Sequence, residues 1–398
     1  MRKSTRLSSL VAAALTATLL TAGALPASAR SDHTPVQEPA PLYRSADAVP
    51  GQYIVTLSKT ADSTQMSDRF GVRPMFTYES ALHGFAVALT PLQLQILRRT
   101  PGVESVEEDA RATAFATGGS DPRAAAASWG LDRIDQRTPA LDGAFTPNST
   151  GRGATAYILD TGIDYAHAEF GGRATFGFDA VGDGRLGQDC NGHGTHVAGT
   201  VGGRTYGVAR EVTLVSVRVL DCQGTGTWSQ IVAGLDWVAA NATQPAVLNM
   251  SLGGRRSEAV NSAATAIAAE GILPVVAAGN SSEDACDISP ASAQDVVTVG
   301  ATDRSDEQTS FSNYGACLWV YAPGASIVSA GLGGGTVALN GTSMASPHVA
   351  GVAALYSAKH PEQPPQEVAR WLADTSTKDA VAGAGGGSPN RLLFTDGL

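Results

Sequence analysis

Ala154-Thr155-Ala156-Tyr157-Ile158-Leu159-Asp160-Thr161-Gly162 is the stretch on which the fold turns. A short apolar run ends on a carboxylate and then a glycine. An apolar run of that length, stopped by turn residues, reads as a strand buried on both faces. Downstream the pattern repeats. Val212–Leu220 is a second such run, and Ser229–Asn241 is helical, with Ile231, Leu235 and Val238 on one face. Ala246–Leu252 reads as a strand, and Ser257 caps a helix that runs to Gly271, a C′ glycine. Ile272–Ala278 and Val296–Ala301 follow as strands. Continuous apolar strands alternating with helices predict an α/β, doubly wound, mostly parallel sheet with helices on both faces, over 129–398.

Upstream the texture differs. Tyr53–Leu57, Phe85–Leu89 and Val103–Val106 are strand-like, and Thr90-Pro91 opens a capped helix. Residues 49–116 therefore read as a small α+β domain, marginal alone and expected to pack on something. Residues 111–128 are rich in Ala, Gly and Ser around Pro122 and Arg123, and read as exposed and cleavable, with 117–128 as the linker proper. Residues 30–48, polar and Pro-rich, form another linker. Arg2, Lys3 and Arg6, the apolar Leu7–Leu25 and Ala27-Ser28-Ala29 predict a signal peptide over 1–29. A membrane anchor is the competing reading. Interruption by Thr, Ser and Gly and the small-residue site favour cleavage after Ala29, and hence a secreted, extracellular product with no membrane association.

The 398 residues allow two or three units. With 43% hydrophobic residues there is enough for a sizeable core, and 16% charged residues argue against disorder. The net charge of −10, with no basic cluster beyond the N-terminus, excludes a nucleic-acid binder and reads as solubility.

Three segments carry chemistry: Asp160-Thr161-Gly162-Ile163-Asp164, Asn191-Gly192-His193-Gly194-Thr195-His196, and Gly341-Thr342-Ser343-Met344-Ala345. A neutral serine is a weak nucleophile. It needs a base titrating near pH 7 and a carboxylate to fix that base's tautomer. Each segment has a plainer reading: a strand-end turn, a histidine pair for a metal, a helix cap. The order Asp, His, Ser is the subtilisin order of triad residues, whereas the α/β-hydrolase order ends on His. Here Ala345 also stands where the second glycine of a G-x-S-x-G elbow would be.

Together with Asn249–Gly254 and Ala277-Ala278-Gly279-Asn280, these motifs resemble the subtilisin-like serine proteases (peptidase S8), in the proteinase K and aqualysin branch, from about Trp129 onward. The resemblance implies a serine endopeptidase with Asp160, His193 and Ser343 as triad and the Asn280 amide as oxyanion donor. It implies a peptide cleft walled by Gly224, Thr225 and Gly226 on one side and by Ser251, Leu252 and Gly253 on the other, with Ala277 and Gly279 as further substrate-binding residues. Trp228 either shapes a more distant apolar subsite or is a partly buried aromatic at a helix start. Residues 49–116 resemble the family's I9-type inhibitory propeptide, which blocks the cleft and assists folding. Maturation is placed within 112–124. His196 and His348 read as supports, and His83 as uninvolved. The implied partners are protein or peptide substrates and the chain's own propeptide. The implied state is a monomer without catalytic cofactor, with broad specificity favouring apolar or aromatic residues.

Cys190, Cys222, Cys286 and Cys317 are an even set in an exported chain, which favours disulfides. Four cysteines allow three connectivities. The resemblance implies Cys190–Cys222 and Cys286–Cys317, each worth roughly 3–4.7 kcal/mol if chain entropy governs. The oxygen-rich set Asp132, Asp135, Gln136 and Asp142 resembles a structural calcium loop of the branch, with Ala144 where relatives carry Asn. At a second calcium position relatives carry Asp, and this chain has Trp319.

Overall fold

In a computed structural model, residues 38–116 and 128–398 are described. The expected signal peptide lies outside them, as do 30–37 of the first linker and 117–127 of the second.

The principal sheet has nine strands. From one edge they run Thr377–Lys378, Arg391–Leu392, Val320–Pro323, Val297–Thr302, Ile272–Ala277, Ala246–Met250, Thr155–Asp160, Thr213–Arg218 and Ala174–Asp179. All neighbours are parallel except the first pair. Thr155–Asp160 comes first in the chain yet sits inside the sheet. The next two strands are added on one side of it, and the later ones on the other. That reversal opens a crevice at the strand's carboxyl end, where open α/β sheets bind their ligands.

Alternation along the strands divides the core. Tyr157, Leu159, Leu248 and Met250 face the helices Trp228–Asn241 and Glu258–Ala269. Ala156, Ile158, Val247 and Val275 face the helices His193–Gly202 and Thr342–Lys359. The latter helices are buried along nearly their whole length, which is why their sequences show no polar stripe.

The N-terminal unit is an antiparallel sheet of Phe76–Tyr78, Gly84–Ala88, Ala48–Leu57 and Val103–Ala114, with helices Ser63–Arg69 and Pro91–Leu97. Thr90 and Gln93 form a reciprocal capping box at the second helix. Two expectations are corrected here. Structure begins before residue 49, because Leu42–Tyr43 already pairs with Val106 and Glu107. Residues 111–114 are not linker, although Arg111 and Thr113 are exposed. They end a twelve-residue strand, and Ala112 is 1% exposed. Ala112 and Ala114 gave no apolar signal, because the strands they pair between come from the other half of the chain.

Candidate active site

The reversal point brings three distant segments together. Asp160 ends its strand and is fully buried. His193 opens its helix behind Gly192, and its Nδ1 donates to Asp160 Oδ1 over 2.7 Å. Asp160 Oδ1 also accepts from the Thr161 N–H at 2.7 Å. Burial pulls the His193 pKa down. The Asp160 carboxylate, through charge and hydrogen bond, and the more distant Asp189 reverse that, and the net pKa lies above the ordinary 6.5.

Ser343 is the second residue of the helix Thr342–Lys359. Four residues on, Pro347 has no N–H to offer the Ser343 carbonyl. Ser251 Oγ donates to that carbonyl instead at 2.9 Å, and Ser343 Oγ donates to Ser251 O, also at 2.9 Å. Behind them Asn249 Nδ2 donates to Ser251 Oγ, and Ser346 Oγ donates to Asn249 Oδ1. His193 Nε2 is buried without a partner, on the side away from Asp160.

Asn280 is held from behind. Its Oδ1 accepts from the Thr342 N–H at 2.9 Å and from Thr342 Oγ1 at 2.8 Å, which leaves Nδ2 to point into the crevice. There it donates to the carbonyl of Phe115 at 2.8 Å.

The strand Val103–Ala114 runs through the crevice. Arg111, Ala112 and Thr113 pair antiparallel with Thr227, Gly226 and Thr225, and Thr113 and Ala114 pair with Gly253 and Leu252. The Ala114 N–H donates to Gly224 O at 3.0 Å. Both expected walls therefore flank a peptide of this same chain, bound by strand addition. Ala277 is buried at the end of its strand, and the Gly279 N–H donates to Thr342 Oγ1, so these two back the site without lining it. Trp228 is fully buried beneath the second wall. A Cβ added to Gly254 would lie 3.0 Å from its ring.

The sequence reading passed over Asp189. Its Oδ1 accepts from Thr161 Oγ1 and from the N–H groups of Asn191 and Gly192, each at 2.9 Å. Its Oδ2 accepts from the Thr195 N–H at 2.9 Å and from Thr195 Oγ1 at 2.6 Å. Thr161 Oγ1 in turn accepts from the Gly194 N–H. One carboxylate thus ties the residue after Asp160 to the start of the His193 helix. Its signal was present: an Asp four residues before the histidine, ahead of a glycine turn.

His196 Nε2 bonds to Ile327 O and His348 Nδ1 to Met344 O, and burial lowers their pKa values to about 3 and about 4. Both are neutral packing groups at physiological pH. His83 lies in the N-terminal unit, against Ala61 O.

Cys190–Cys222 and Cys286–Cys317 are both bridged. Among the described residues, only Asp183, Cys190 and Cys222 crowd metal-type ligand atoms together. Those sulfurs are bonded to each other, and Asp183 is paired with Arg218 at 2.6 Å, so the group is no metal site. The Asp132, Asp135 and Asp142 carboxylates are not gathered in this way. Asp132 accepts from Gln136 Nε2 and from the Asp142 and Gly143 N–H groups, and Asp142 accepts from the Ala144 N–H. Trp319 donates from Nε1 to Ala369 O and packs, half-buried, against the edge of the core.

A buried Asp–His pair, a serine at a helix start and an amide aimed at a peptide carbonyl, at the switch point of a parallel sheet, define a serine peptidase. Residues 151–392 match the model described as Subtilase family, and residues 52–114 that described as Peptidase inhibitor I9. The chain belongs to the subtilase family and carries an I9 segment. It is 45% identical to the extracellular serine proteinase of Thermus sp. (strain Rt41A), covering 94% of this chain and 97% of that one. It is 38% identical to proteinase R of Parengyodontium album, over 90% and 92% of the two chains. A solved cold adapted subtilisin-like serine proteinase shares 49% identity with a TM-score of 0.67, covering 68% of this chain and 98% of that one.

Proposed function

We propose that this serine endopeptidase hydrolyses peptide bonds through an acyl-enzyme, with Ser343 as nucleophile, His193 as general base and acid, Asp160 as the carboxylate that orients His193, and Asn280 Nδ2 as a donor to the oxyanion. The observation that carries this reading is a peptide carbonyl resting on Asn280 Nδ2 at 2.8 Å, next to Ser343. In the reaction Ser343 Oγ leaves Ser251 O, gives its proton to the open Nε2 of His193 and adds to the carbonyl carbon. Imidazolium is stabilised by Asp160, and the developing oxyanion by a neutral amide fixed in advance. His193 then protonates the leaving amine, and water hydrolyses the ester by the reverse route.

Main-chain pairing on both walls supports broad specificity, and the Phe115 ring, set against Gly253 and packed on the buried core, supports apolar or aromatic residues at the cleaved position. A peptide library showing strict preference for Arg or Asp there would overturn that preference. We read 49–116 as the inhibitory propeptide of an autoprocessed zymogen, 129–398 as the peptidase domain, and the product as a secreted monomer acting on proteins. No helix among the described residues is long and apolar enough to cross a membrane. No catalytic cofactor enters the mechanism. A structural calcium would be held by the oxygens of Asp132, Asp135, Gln136 and Asp142.

The test compares wild type with Ser343→Ala on a chromogenic apolar tetrapeptide amide and on its ester. Wild type cleaves both and the variant neither. Ester turnover alone favours an esterase or peptide ligase. Equal inertness of both proteins, with no covalent labelling of wild type by a sulfonyl fluoride, favours a binding protein of this fold.

A further inference from the structure

We infer that the bond cut in maturation is Phe115–Ala116, an assignment that rests on the reading of Ser343 as nucleophile. The cleft fixes the register of the chain from both sides. Arg111 to Thr113 are held by Thr225–Thr227, and Thr113 and Ala114 by Leu252 and Gly253. The next residue, Phe115, donates its N–H to Ser251 O at 3.3 Å, the carbonyl on which Ser343 Oγ rests. The carbonyl of Phe115 is the one that meets Asn280 Nδ2.

Shape agrees with the hydrogen bonds. A Cβ on Gly253 would stand 2.6 Å from the Phe115 ring, so the missing side chain of the wall is the room the ring occupies. A Cβ on Gly341 would lie 2.3 Å from Phe115 O, so this glycine opens the slot for the carbonyl. Ala116 is already past the reacting position. It lines a cavity of ≈ 540 Å³ with His193, Leu332 and Leu339, a space that also reaches back to Thr113 and Ala114.

The step balances without a co-reactant other than water. Ser343 Oγ bonds to the Phe115 carbonyl carbon as its proton passes to His193. The bond to Ala116 N breaks as that nitrogen takes the proton. Water then cleaves the ester to leave a Phe115 carboxylate and restore Ser343. The inhibitory segment would keep Phe115 as its last residue, seated in the pocket as a product.

The experiment is intact-mass and terminal mapping of both fragments when they first appear from the full-length chain. The expected ends are Phe115 on the released segment and Ala116 on the mature enzyme. Later trimming of the mature N-terminus leaves the first of these unchanged. Phe115→Asp is expected to slow the first cut by about tenfold or more. New ends at any other bond, with the tetrapeptide amide still cleaved, overturn the assignment and leave the triad standing. Cleavage of purified Ser343→Ala on its own, at this bond or elsewhere, overturns self-cleavage instead.

Discussion

Two stretches of this chain gather carboxylates and hydroxyls within a few dozen residues: the corner from Asp160 to Thr195 and the loop from Asp132 to Asp142. In the corner each buried carboxylate bridges separate segments. Asp160 reaches across to His193, and Asp189 joins Thr161 to the helix start. In the loop the carboxylates serve their own neighbourhood: Asp132 takes N–H groups of Asp142 and Gly143, and Asp142 that of Ala144. Asp160 is buried and Asp142 exposed. Acidic residues in proximity are therefore a poor guide to chemistry. What marks the corner is that its carboxylates bridge elements that the fold alone brings together.

The contrast can be broken from the corner's side first. Ser343→Ala should abolish maturation and lower kcat by about a millionfold, the order found for subtilisin itself, a member of this family. Asn280→Leu should lose about a hundredfold to a thousandfold in kcat with little change in KM. That range too is subtilisin's own for its oxyanion asparagine. A KM effect alone would mean that Asn280 binds peptide without meeting the transition state.

Asp189→Asn sharpens the contrast, because it removes charge and keeps most of the shape. His193 must be neutral to act as base, and its pKa is raised, so activity falls as pH drops through a midpoint above 6.5. Removing the Asp189 charge should move that midpoint downward. Loosening the helix start should cost between about tenfold and a hundredfold in kcat/KM. If the midpoint stays fixed while activity falls, Asp189 acts through geometry alone. The smallest effect is expected in the loop. EDTA should lower the thermal midpoint by about a few degrees. An unchanged midpoint would make the loop a set of turn caps.

Much of the corner was legible because apolar runs ended at Asp160 and glycines flanked His193 and Ser343. The sheet was legible for the same reason: its strands are buried on both faces, so their sequences are apolar throughout. What escaped was contact between segments. Arg111–Ala114 looked like linker because small residues are silent about a partner strand supplied from far along the chain. Ser251 was expected in a wall, but its hydroxyl also satisfies a carbonyl that Pro347 leaves unpaired. Trp228 was read either as near a subsite or as a partly buried helix-start aromatic, and its complete burial depends on packing that no local pattern records.

Two carboxylates of the N-terminal unit stand at helix starts of the peptidase domain. Glu107 accepts from the Ala259 N–H at 2.9 Å, and Asp109 from the Ser229 N–H at 3.0 Å and from Ser229 Oγ at 2.6 Å. They bring negative charge to the N-termini of the helices Glu258–Ala269 and Trp228–Asn241. If the segment that carries them is discarded, the enzyme keeps a shape whose template has left. A molecule made that way has no memory of its assembly. Should such an enzyme fail to refold alone, its working life would be set by how slowly it first comes apart.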